Sequence, residues 1–524
     1  MFIFIPYHNQ EEHTVKKFLS KHTDKIKGHL SCFDRILLKG YLPISSGTSM
    51  GSFMDYMKWL RKDFKTIVQR YSEEVKGYAK QMAEKKRRPY IHLSQPLKKD
   101  VFVRSMARDD NVQNGLICIL SAVEACMSFR MIPGKGRPSI INAKRKCLCL
   151  YFYFLDRNLG FYHIRLQTWF PFTIQICMNG HEYLARKMDE LGMDYRQVDN
   201  CFTYLADIKR AQRLAKNFVR PNWPRVLSAL ARRVNPLLST IFSRMDYYWV
   251  IEQAEYATDV MFESGHHLKG LYEKLLRHAC LCFSAEDVLT FLGRKMTGHF
   301  QGEVGNHYKK RWPGARIRHR MKKNWIKMYN KCASVVRVET VINCPYEFKV
   351  WRHGCRKGKK GMNWFPMIKG IGYLFRYAEV SLRANSNFLD ALSVVNDPEE
   401  SMESMRVLSR RIKRSGRSYR GFNPAEKRDV RLFQAVMRGE HLIDGFRNAD
   451  IWRQLYGKAR DGKERRRQGA RVSRLLKLLH VHRLIAKIPR SRRWKVTQKG
   501  QKIMSTVIIL FEDVFPETMI EKAA

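Results

Sequence analysis

The residues best suited to chemistry lie in one segment, IKMYNKCASVVRVETVIN, which spans residues 326–343. Side chains two residues apart on a β-strand share a face. Lys327, Tyr329 and Lys331 would therefore lie together on one strand, and Arg337 and Glu339 on the next. A carboxylate among cations and a phenol can bind a phosphodiester, with a divalent metal on Glu339 and Tyr329 as a nucleophile. The alternative is a basic sheet that lies on nucleic acid through its cations, while Glu339 only pairs with Arg337.

The order of these residues, Tyr-x-Lys followed by Arg-x-Glu, resembles blocks in the initiators of rolling-circle replication of plasmids and phages. Those enzymes nick DNA through a tyrosine. The resemblance covers fewer than 20 residues and includes no second catalytic block. It implies a strand-nicking site with Tyr329 as nucleophile and Glu339 beside it, and it implies Mg²⁺ or Mn²⁺ as cofactor if the protein is a nuclease.

Six other carboxylates lie beside basic, β-rich sequence, and each is a weaker candidate for a site. They are Asp34, Glu124, Asp156, Asp199, Glu255 and Asp259. A two-metal nuclease needs several carboxylates that converge on ions about 4 Å apart, and a sequence does not show convergence. For each acid alone a structural ion pair or a cap is the favoured interpretation, so no metal ligand is assigned among them.

The aromatic run FYHIRLQTWFPF, residues 161–172, alternates His163 and Arg165 with aromatic side chains. Such rings can stack on bases, although the interior of a sheet is the favoured interpretation. The sequence contains no Walker loop, no complete Rossmann fingerprint and no nucleophile elbow. It therefore offers no sign of a nucleotide-dependent enzyme of those classes.

The net charge is the outlying property of the composition. The 524 residues include 98 Lys and Arg against 48 Asp and Glu, which gives a formal charge of +50. Hydrophobic residues make up 44% of the chain, so it is a folded protein. Positive charge on this scale repels itself unless a polyanion balances it. Nucleic acid is the expected partner, and an anionic membrane surface or a basic but inert protein are the alternatives.

The membrane alternative is weakened by the apolar segments, which are all much shorter than the span of about 20 residues that a membrane helix needs. Residues 1–6 are apolar but lack the basic start and cleavage site of a signal peptide. The 12 cysteines are scattered, with no Cys-x-x-Cys pair. Buried, reduced thiols are favoured over a structural zinc. These features predict a cytoplasmic, nucleoid-associated protein without membrane contact.

Hydrophobic periodicity predicts an α+β fold with four parts. Residues 1–90 are expected to be a helical N-terminal region. Residues 91–396 are expected to be a core of antiparallel sheet with surrounding helices, interrupted by a helical insertion at 206–300. Residues 397–428 have the polar, basic and Gly-containing composition of a linker. Residues 429–524 are expected to be a separate domain.

This C-terminal domain shows the pattern helix, helix, long helix, basic hairpin, helix. The long helix contains six basic residues away from an apolar stripe that includes Val472 and Leu476. The basic residues are Arg465, Arg466, Arg467, Arg471, Arg474 and Lys477. The hairpin contains Arg490, Arg492, Arg493 and Lys495. Such a helix can enter the major groove of DNA, and such a hairpin can contact neighbouring phosphates.

The run LIAKIPRSRRWKVTQKG, residues 484–500, resembles the end of the recognition helix, the wing and the start of the last helix in winged-helix transcription factors of the MarR type. The resemblance implies a winged-helix (helix-turn-helix) domain for the last part of the chain. Over most of its length, the chain also resembles a family of uncharacterised bacterial proteins. That likeness depends on GFYHIRLQTWFPFTIQICMNGHEYLAR, on the segment at 326–343 and on the terminal winged helix. It implies a bacterial, intracellular protein and no particular activity.

The sequence therefore predicts a nucleic-acid-binding protein, with DNA as the favoured partner, that belongs to a mobile element or a regulatory system and docks through a C-terminal winged helix. Two alternatives stay open. One is a metal-dependent nuclease or strand-nicking enzyme with Tyr329 and Glu339 in its site. The other is an RNA-binding protein, for which the same basic surface would serve.

Overall fold

The structure is a computed structural model that describes most of the chain. The described residues are 16–134, 138–281, 283–294, 302–310, 315–356, 358–393, 395, 406–414, 416–439, 441, 445–457, 461–489, 491–509 and 511. The chain divides into two compact units, and each is mixed α/β. Unit 1 comprises Met1–Gly28, Asp259–Thr340 and Val380–Ala524; unit 2 comprises His29–Thr258 and Val341–Glu379.

The elements of the described residues are numbered in chain order. The α-helices are α1 (Lys16–Lys21), α2 (Gly47–Tyr56), α3 (Phe64–Lys85), α4 (Lys99–Asp109), α5 (Gly180–Asp189), α6 (Ile208–Lys216), α7 (Trp223–Val234), α8 (Gly265–Leu281), α9 (Ala285–Phe291), α10 (Leu374–Leu392), α11 (Lys427–Val436), α12 (Asn448–Tyr456), α13 (Gly462–Val481) and α14 (Gln498–Ile509). The strands are β1 (Ile26–Tyr41), β2 (Tyr90–His92), β3 (Gly115–Ile132), β4 (Ser139–Asp156), β5 (Gly160–Gln167), β6 (Ile174–Asn179), β7 (Tyr195–Val198), β8 (Cys201–Leu205), β9 (Tyr248–Phe262), β10 (Val304–Lys310), β11 (Ala315–Met321), β12 (Asn324–Lys331), β13 (Val335–Ile342), β14 (Lys349–Arg356), β15 (Lys359–Pro366), β16 (Ile412–Arg414), β17 (Arg417–Tyr419), β18 (Ile485–Lys487) and β19 (Trp494–Val496).

Unit 2 is built on a sheet with the strand order β9-β1-β6-β5-β4-β3-β2. The pairs from β1 to β3 in this order are antiparallel, and β2 lies parallel to β3. The strands β3 and β4 are each 18 residues long and rich in aromatic and β-branched residues, which favour extended backbone. The turn between β4 and β5 is held by Asp156, whose carboxylate accepts hydrogen bonds from the backbone N–H groups of Asn158 and Leu159.

Unit 1 contains the neighbouring strands β10-β11-β12-β13, followed in this order by the end of β9 from Asp259 onward. Every residue of β13 is buried; five of the eight are Val or Ile, and the other three are Arg337, Glu339 and Thr340. Helices α8 and α9 pack against β11. Helix α9 begins with a reciprocal capping box between Ser284 and Asp287.

The last elements of unit 1 follow the order expected from the sequence, namely helices α11, α12 and α13, the hairpin β18–β19, and helix α14. The junction between hairpin and α14 is fixed by Thr497, whose hydroxyl donates to the carbonyl of Arg483 at 2.7 Å and accepts from the N–H of Gly500 at 2.9 Å. A Cβ on Gly500 would lie 1.9 Å from the carbonyl oxygen of Leu484. Only glycine allows this close approach.

The α+β class, with an antiparallel sheet and surrounding helices, is confirmed, but two of its expected parts are wrong in detail. Residues 1–90 are not a helical region throughout, because β1 occupies Ile26–Tyr41. The expected helical insertion at 206–300 is interrupted by β9, Tyr248–Phe262. Both strands are buried on both faces over part of their length. Their apolar residues therefore do not alternate, and the spacing looks helical by chance.

The described part of the predicted linker, residues 406–414 and 416–428, contains the short hairpin β16–β17. Leu408 and Phe422 are buried. The guanidinium of Arg420 donates two hydrogen bonds to the carboxylate of Asp429, at 2.7 and 2.6 Å. The segment therefore packs against α11 through these contacts.

The division into units groups residues 380–524 with 259–340 instead of separating the last 96 residues. Arg438 joins the two stretches, since its guanidinium donates to the hydroxyl of Ser284 at 2.9 Å and lies 3.2 Å from the carboxylate of Glu286. Across the part of the chain that the structure describes, none of the helices combines the length and apolar character needed to cross a membrane.

Candidate nucleic-acid interface

Helix α13 presents a basic surface on one side and an apolar stripe on the other. Val472, Leu475, Leu476 and Leu479 are buried along this stripe, and Leu478 and Val481 are also buried, on the basic side near the end of the helix. All six basic residues predicted for this helix are exposed: Arg465, Arg466, Arg467, Arg471, Arg474 and Lys477. The helix is 20 residues long, which corresponds to about 30 Å. It therefore offers several turns of positive charge to a partner.

The six residues do not all point the same way. With about 100° of rotation per residue, Arg466, Arg467, Arg474 and Lys477 fall within an arc of about 100°, opposite the buried stripe. We call these four residues the basic arc. Arg471 lies at its margin. Arg465 lies on the other side, with its guanidinium 5.8 Å from the centre of the Trp452 ring.

Helix α12 fixes the rotation of α13 about its own axis. The indole N–H of Trp452 donates to the side-chain carbonyl of Gln468 at 2.9 Å. The amide of Asn448 donates to the hydroxyl of Ser473 at 2.7 Å. These two hydrogen bonds lie at successive levels of α13, so they orient the basic arc away from α12.

The hairpin β18–β19 follows directly after α13. Its Arg492 and Lys495 side chains are exposed, and Arg493 is half-buried. Arg490, the fourth predicted contact, lies outside the described residues. The backbone of Trp494 exchanges two hydrogen bonds with Phe446, at 2.9 and 2.8 Å. This pairing ties the hairpin to the segment that leads into α12.

The predicted chemical site lies on β12 and β13, where the structure brings three of its residues together. The ammonium of Lys327 lies 2.7 Å from one carboxylate oxygen of Glu339, and the hydroxyl of Tyr329 donates to the other oxygen at 2.7 Å. Glu339 is 1% exposed and Tyr329 is 7% exposed. Each oxygen accepts one of these hydrogen bonds and keeps a second lone pair, so the carboxylate can accept a proton and could also bind a divalent metal.

Arg337 was grouped with the nucleic-acid contacts, and the structure gives its side chain a different position. It is fully buried on β13 and donates two hydrogen bonds to Asp259 on β9, at 2.6 and 2.7 Å. A guanidinium in this position is part of the core of unit 1 and does not present its charge to a ligand. Lys331, at the end of β12, is half-buried.

Among the other acids considered from the sequence, Asp34 and Glu255 converge within unit 2. Their carboxylate oxygens lie within 4.8 Å of each other, a spacing at which both can bind one divalent cation. Asp34 also accepts hydrogen bonds from the amides of Asn179 at 2.9 Å and Asn200 at 2.6 Å. These amide donors stabilise the ionised form of Asp34.

A cavity of about 860 Å³ in unit 2 collects charged residues that the sequence left scattered. We call it the polar cavity. Its charged lining consists of Arg35, Lys39, Lys98, Lys99, Asp100, Glu124, Lys144 and Arg165. The sequence signal for it was present in the polar residues at alternate positions of β1 and β5, such as Arg35 and Lys39, or His163 and Arg165. His163 and Arg165 were interpreted as part of the interior of a sheet, and the sequence alone does not group them with Arg35 and Lys39.

Comparison with known proteins gives no family for this chain, since no protein-family model, no curated protein and no solved structure matches it.

Proposed function

We propose that the protein binds duplex DNA and docks on it through α13. The observation that supports this most directly is the basic arc, whose four cations are exposed opposite the buried stripe of the same helix. The major groove of B-DNA is about 12 Å wide and admits one α-helix. The net charge of +50 on the whole chain favours the same class of partner.

The elements around α13 support docking as a winged helix. In this interpretation α13 is the recognition helix, and the hairpin β18–β19 is the wing. The exposed Arg492 and Lys495 of the hairpin would contact phosphates, while the basic arc would reach base edges and the adjacent backbone. A protein of this kind acts in a mobile element or in the regulation of transcription.

The test removes charge from the basic arc in the full-length chain. Replacement of Arg466, Arg467 and Arg474 by Gln is expected to weaken binding to a 30-base-pair duplex by at least a hundredfold at low salt, because three phosphate contacts are lost. The matched control replaces three exposed arginines of unit 2, Arg108, Arg213 and Arg225. Affinity is measured by the fluorescence anisotropy of a labelled duplex.

An equal loss of affinity in both triple variants would contradict docking through α13, since charge would then act without regard to position. The same assay with single-stranded DNA and with double-stranded RNA separates the partners. Tighter binding to RNA than to DNA of the same sequence would favour the RNA-binding alternative and overturn the choice of DNA.

A second candidate function is strand nicking, which is favoured by the hydrogen bond from Tyr329 to Glu339. In this reaction the phenol oxygen of Tyr329 attacks a phosphodiester and Glu339 accepts the phenolic proton. The phenol oxygen forms a bond to phosphorus while the bond between phosphorus and the oxygen of the leaving strand breaks, and that oxygen takes up the proton from Glu339 to become a free hydroxyl. Lys327, 2.7 Å from the same carboxylate, would stabilise the charge on the phosphate.

Nicking is tested by the conversion of supercoiled plasmid to open circles, with and without Mg²⁺ or Mn²⁺. Glu339→Gln is expected to abolish the conversion, and Tyr329→Phe is expected to abolish a covalent protein–DNA adduct as well. Tyr308→Phe, at an exposed tyrosine of β10, is the matched control. Intact plasmid after incubation with the unaltered protein under all three conditions would exclude this function.

A further inference from the structure

The polar cavity lies on one face of the sheet of unit 2, where a polar row crosses four strands. Lys39 of β1 is paired in register with Gln175 of β6, and Gln175 with Arg165 of β5. Arg165 is in turn paired with Tyr151 of β4. Side chains in register on neighbouring strands share a face at about 5 Å spacing. The row therefore forms a continuous polar floor where a sheet in contact with a core would be apolar.

Glu124 of β3 holds part of this floor in place. Its carboxylate accepts hydrogen bonds from Lys99 at 2.9 Å, from Arg165 at 2.9 Å and from the hydroxyl of Tyr151. Burial opposes ionisation, but these donors hold the pKa of Glu124 below its ordinary value. The carboxylate is therefore charged at neutral pH, and it fixes two cations and a phenol in one arrangement.

The cavity contains more positive than negative charge. Its lining has six basic residues and two acidic ones. Glu124 balances Lys99 and Arg165 only in part, and Asp100 accepts a hydrogen bond from Tyr153 at 2.8 Å. The remaining cations repel one another unless an anion enters.

Helix α4 adds to this positive potential, because it begins at the cavity with Lys98 and Lys99. Its N-cap, Lys98, forms no side-chain capping hydrogen bond. The backbone N–H groups of the first turn, together with the helix dipole, favour an anion at this end. Asp100 in the first turn offsets part of this potential, and the helix and the polar floor together favour an anionic ligand.

We propose that the polar cavity binds the phosphate groups of a ligand, either a nucleotide with several phosphates or the phosphorylated end of a single strand. A volume of about 860 Å³ is within the range of small-molecule sites and accommodates a nucleotide. Fixed cations around Glu124 would hold one phosphate, and Lys39, Lys98 and Lys144 would contact the others. This site goes beyond the proposed docking of duplex DNA through α13.

The test measures the binding of a fluorescent ATP analogue to the full-length chain. Lys98 and Lys144 are exposed and contribute nothing to the hydrogen bonds of Glu124 that are described above, so Lys98→Gln with Lys144→Gln should fold normally. The double variant is expected to bind the analogue about a hundredfold more weakly, roughly tenfold for each lost charge-assisted hydrogen bond. Lys65→Gln with Lys80→Gln, at exposed positions of α3, is the matched control and should bind normally.

Competition identifies the ligand. Inorganic tripolyphosphate should displace the analogue, and adenosine should not. Displacement by a 5′-phosphorylated oligonucleotide, but not by the same oligonucleotide without the phosphate, would assign the site to strand ends. Weak displacement by both oligonucleotides would assign it to free nucleotides.

The proposal is overturned if the unaltered protein does not bind the analogue. It is also overturned if the control pair weakens binding as much as the double variant, or if adenosine competes as well as tripolyphosphate. Binding to duplex DNA should be unaffected by Lys98→Gln with Lys144→Gln. The failure of this proposal is therefore distinguishable from the failure of docking through α13.

Discussion

The salt dependence of duplex binding can be worked out from the exposed cations of α13 and the hairpin. The basic arc supplies four, and Arg492 and Lys495 supply two more. If each neutralises one phosphate, the slope of log K against log salt is about −5.4, because each contact contributes about −0.9. Between 50 and 200 mM salt the affinity should then fall by about 1,800-fold.

Replacement of Arg466, Arg467 and Arg474 by Gln leaves about three contacts. The slope should become about −2.7, and the loss between the same salt concentrations should shrink to about 40-fold. Anisotropy titrations at four salt concentrations measure both slopes. The variant should thus bind more weakly at every salt concentration and depend less on salt, which is the signature of counterion release at the altered positions.

The control triple variant at Arg108, Arg213 and Arg225 should retain a slope near −5.4, because these exposed residues lie on helices of unit 2. A slope that stays near −5.4 in the α13 variant would refute the reasoning, even if its affinity fell. Weaker binding without a change of slope would mean that the variant lost its folded shape or a contact to bases, and that the arc does not neutralise phosphates. Circular dichroism of the variant distinguishes those two causes.

Two further predictions concern the stability of unit 1, and urea unfolding measures both. Arg337→Met removes the two hydrogen bonds that Arg337 donates to the buried carboxylate of Asp259, and it should lower the free energy of unfolding by about 3–5 kcal/mol. The addition of Asp259→Leu should restore most of that loss. An unaltered urea midpoint in the single variant would contradict the buried pair. Burial lowers the pKa of His319 to about 4, below the unfolded value of about 6.5. Between these pH values only the unfolded chain takes up a proton at this residue, so His319 should cost about 1.4 kcal/mol of stability for each unit by which the pH is lowered. His319→Gln should reduce that slope and the exposed His307→Gln should not; equal slopes in both variants would rule out this role of His319.

Helix α13 illustrates what the sequence predicts well. Its apolar residues recur at three- and four-residue steps over 20 residues, and one periodic pattern specifies both the buried stripe and the exposed cations. Its N-cap, Asp461, and the Thr497–Gly500 junction that follows are local signals of the same kind. Long periodic helices with clear boundaries are therefore predictable, including which of their side chains are buried and which are exposed.

Arg337 illustrates that a local sequence pattern does not identify the partner of a residue or show whether its side chain is buried. Its position on a strand was predicted, but its partner Asp259 lies 78 residues away in the sequence. Which face of a strand is buried, and against what, depends on the neighbouring strand. The same spacing that groups Arg337 with Glu339 is equally compatible with a surface cation and with a core ion pair, and only the pairing of β13 with β9 distinguishes them.

The polar cavity depends even more than the Arg337 ion pair on which strands lie side by side and in which register. Its floor requires the registers of β1, β6, β5 and β4 at once. Strands β4, β5 and β6 follow one another in the sequence, but three α-helices and two strands separate them from β1. Each polar residue alone is consistent with an isolated ion pair, as was expected for Glu124. The cavity becomes visible when Lys39, Gln175 and Arg165 fall into one row.

The positive charge of this protein has different consequences according to burial. Exposed cations such as those of the basic arc are surrounded by counterions, so their binding energy falls steeply with salt. Arg165 in the polar cavity is screened less, because its side chain is 12% exposed and its geometry is fixed by Glu124. Phosphate binding in the cavity should therefore depend on salt with a shallower slope per contacted phosphate than duplex binding. Equal slopes per phosphate would mean that the cavity binds its ligand as an open surface does, and the fixed arrangement around Glu124 would then have no part in recognition.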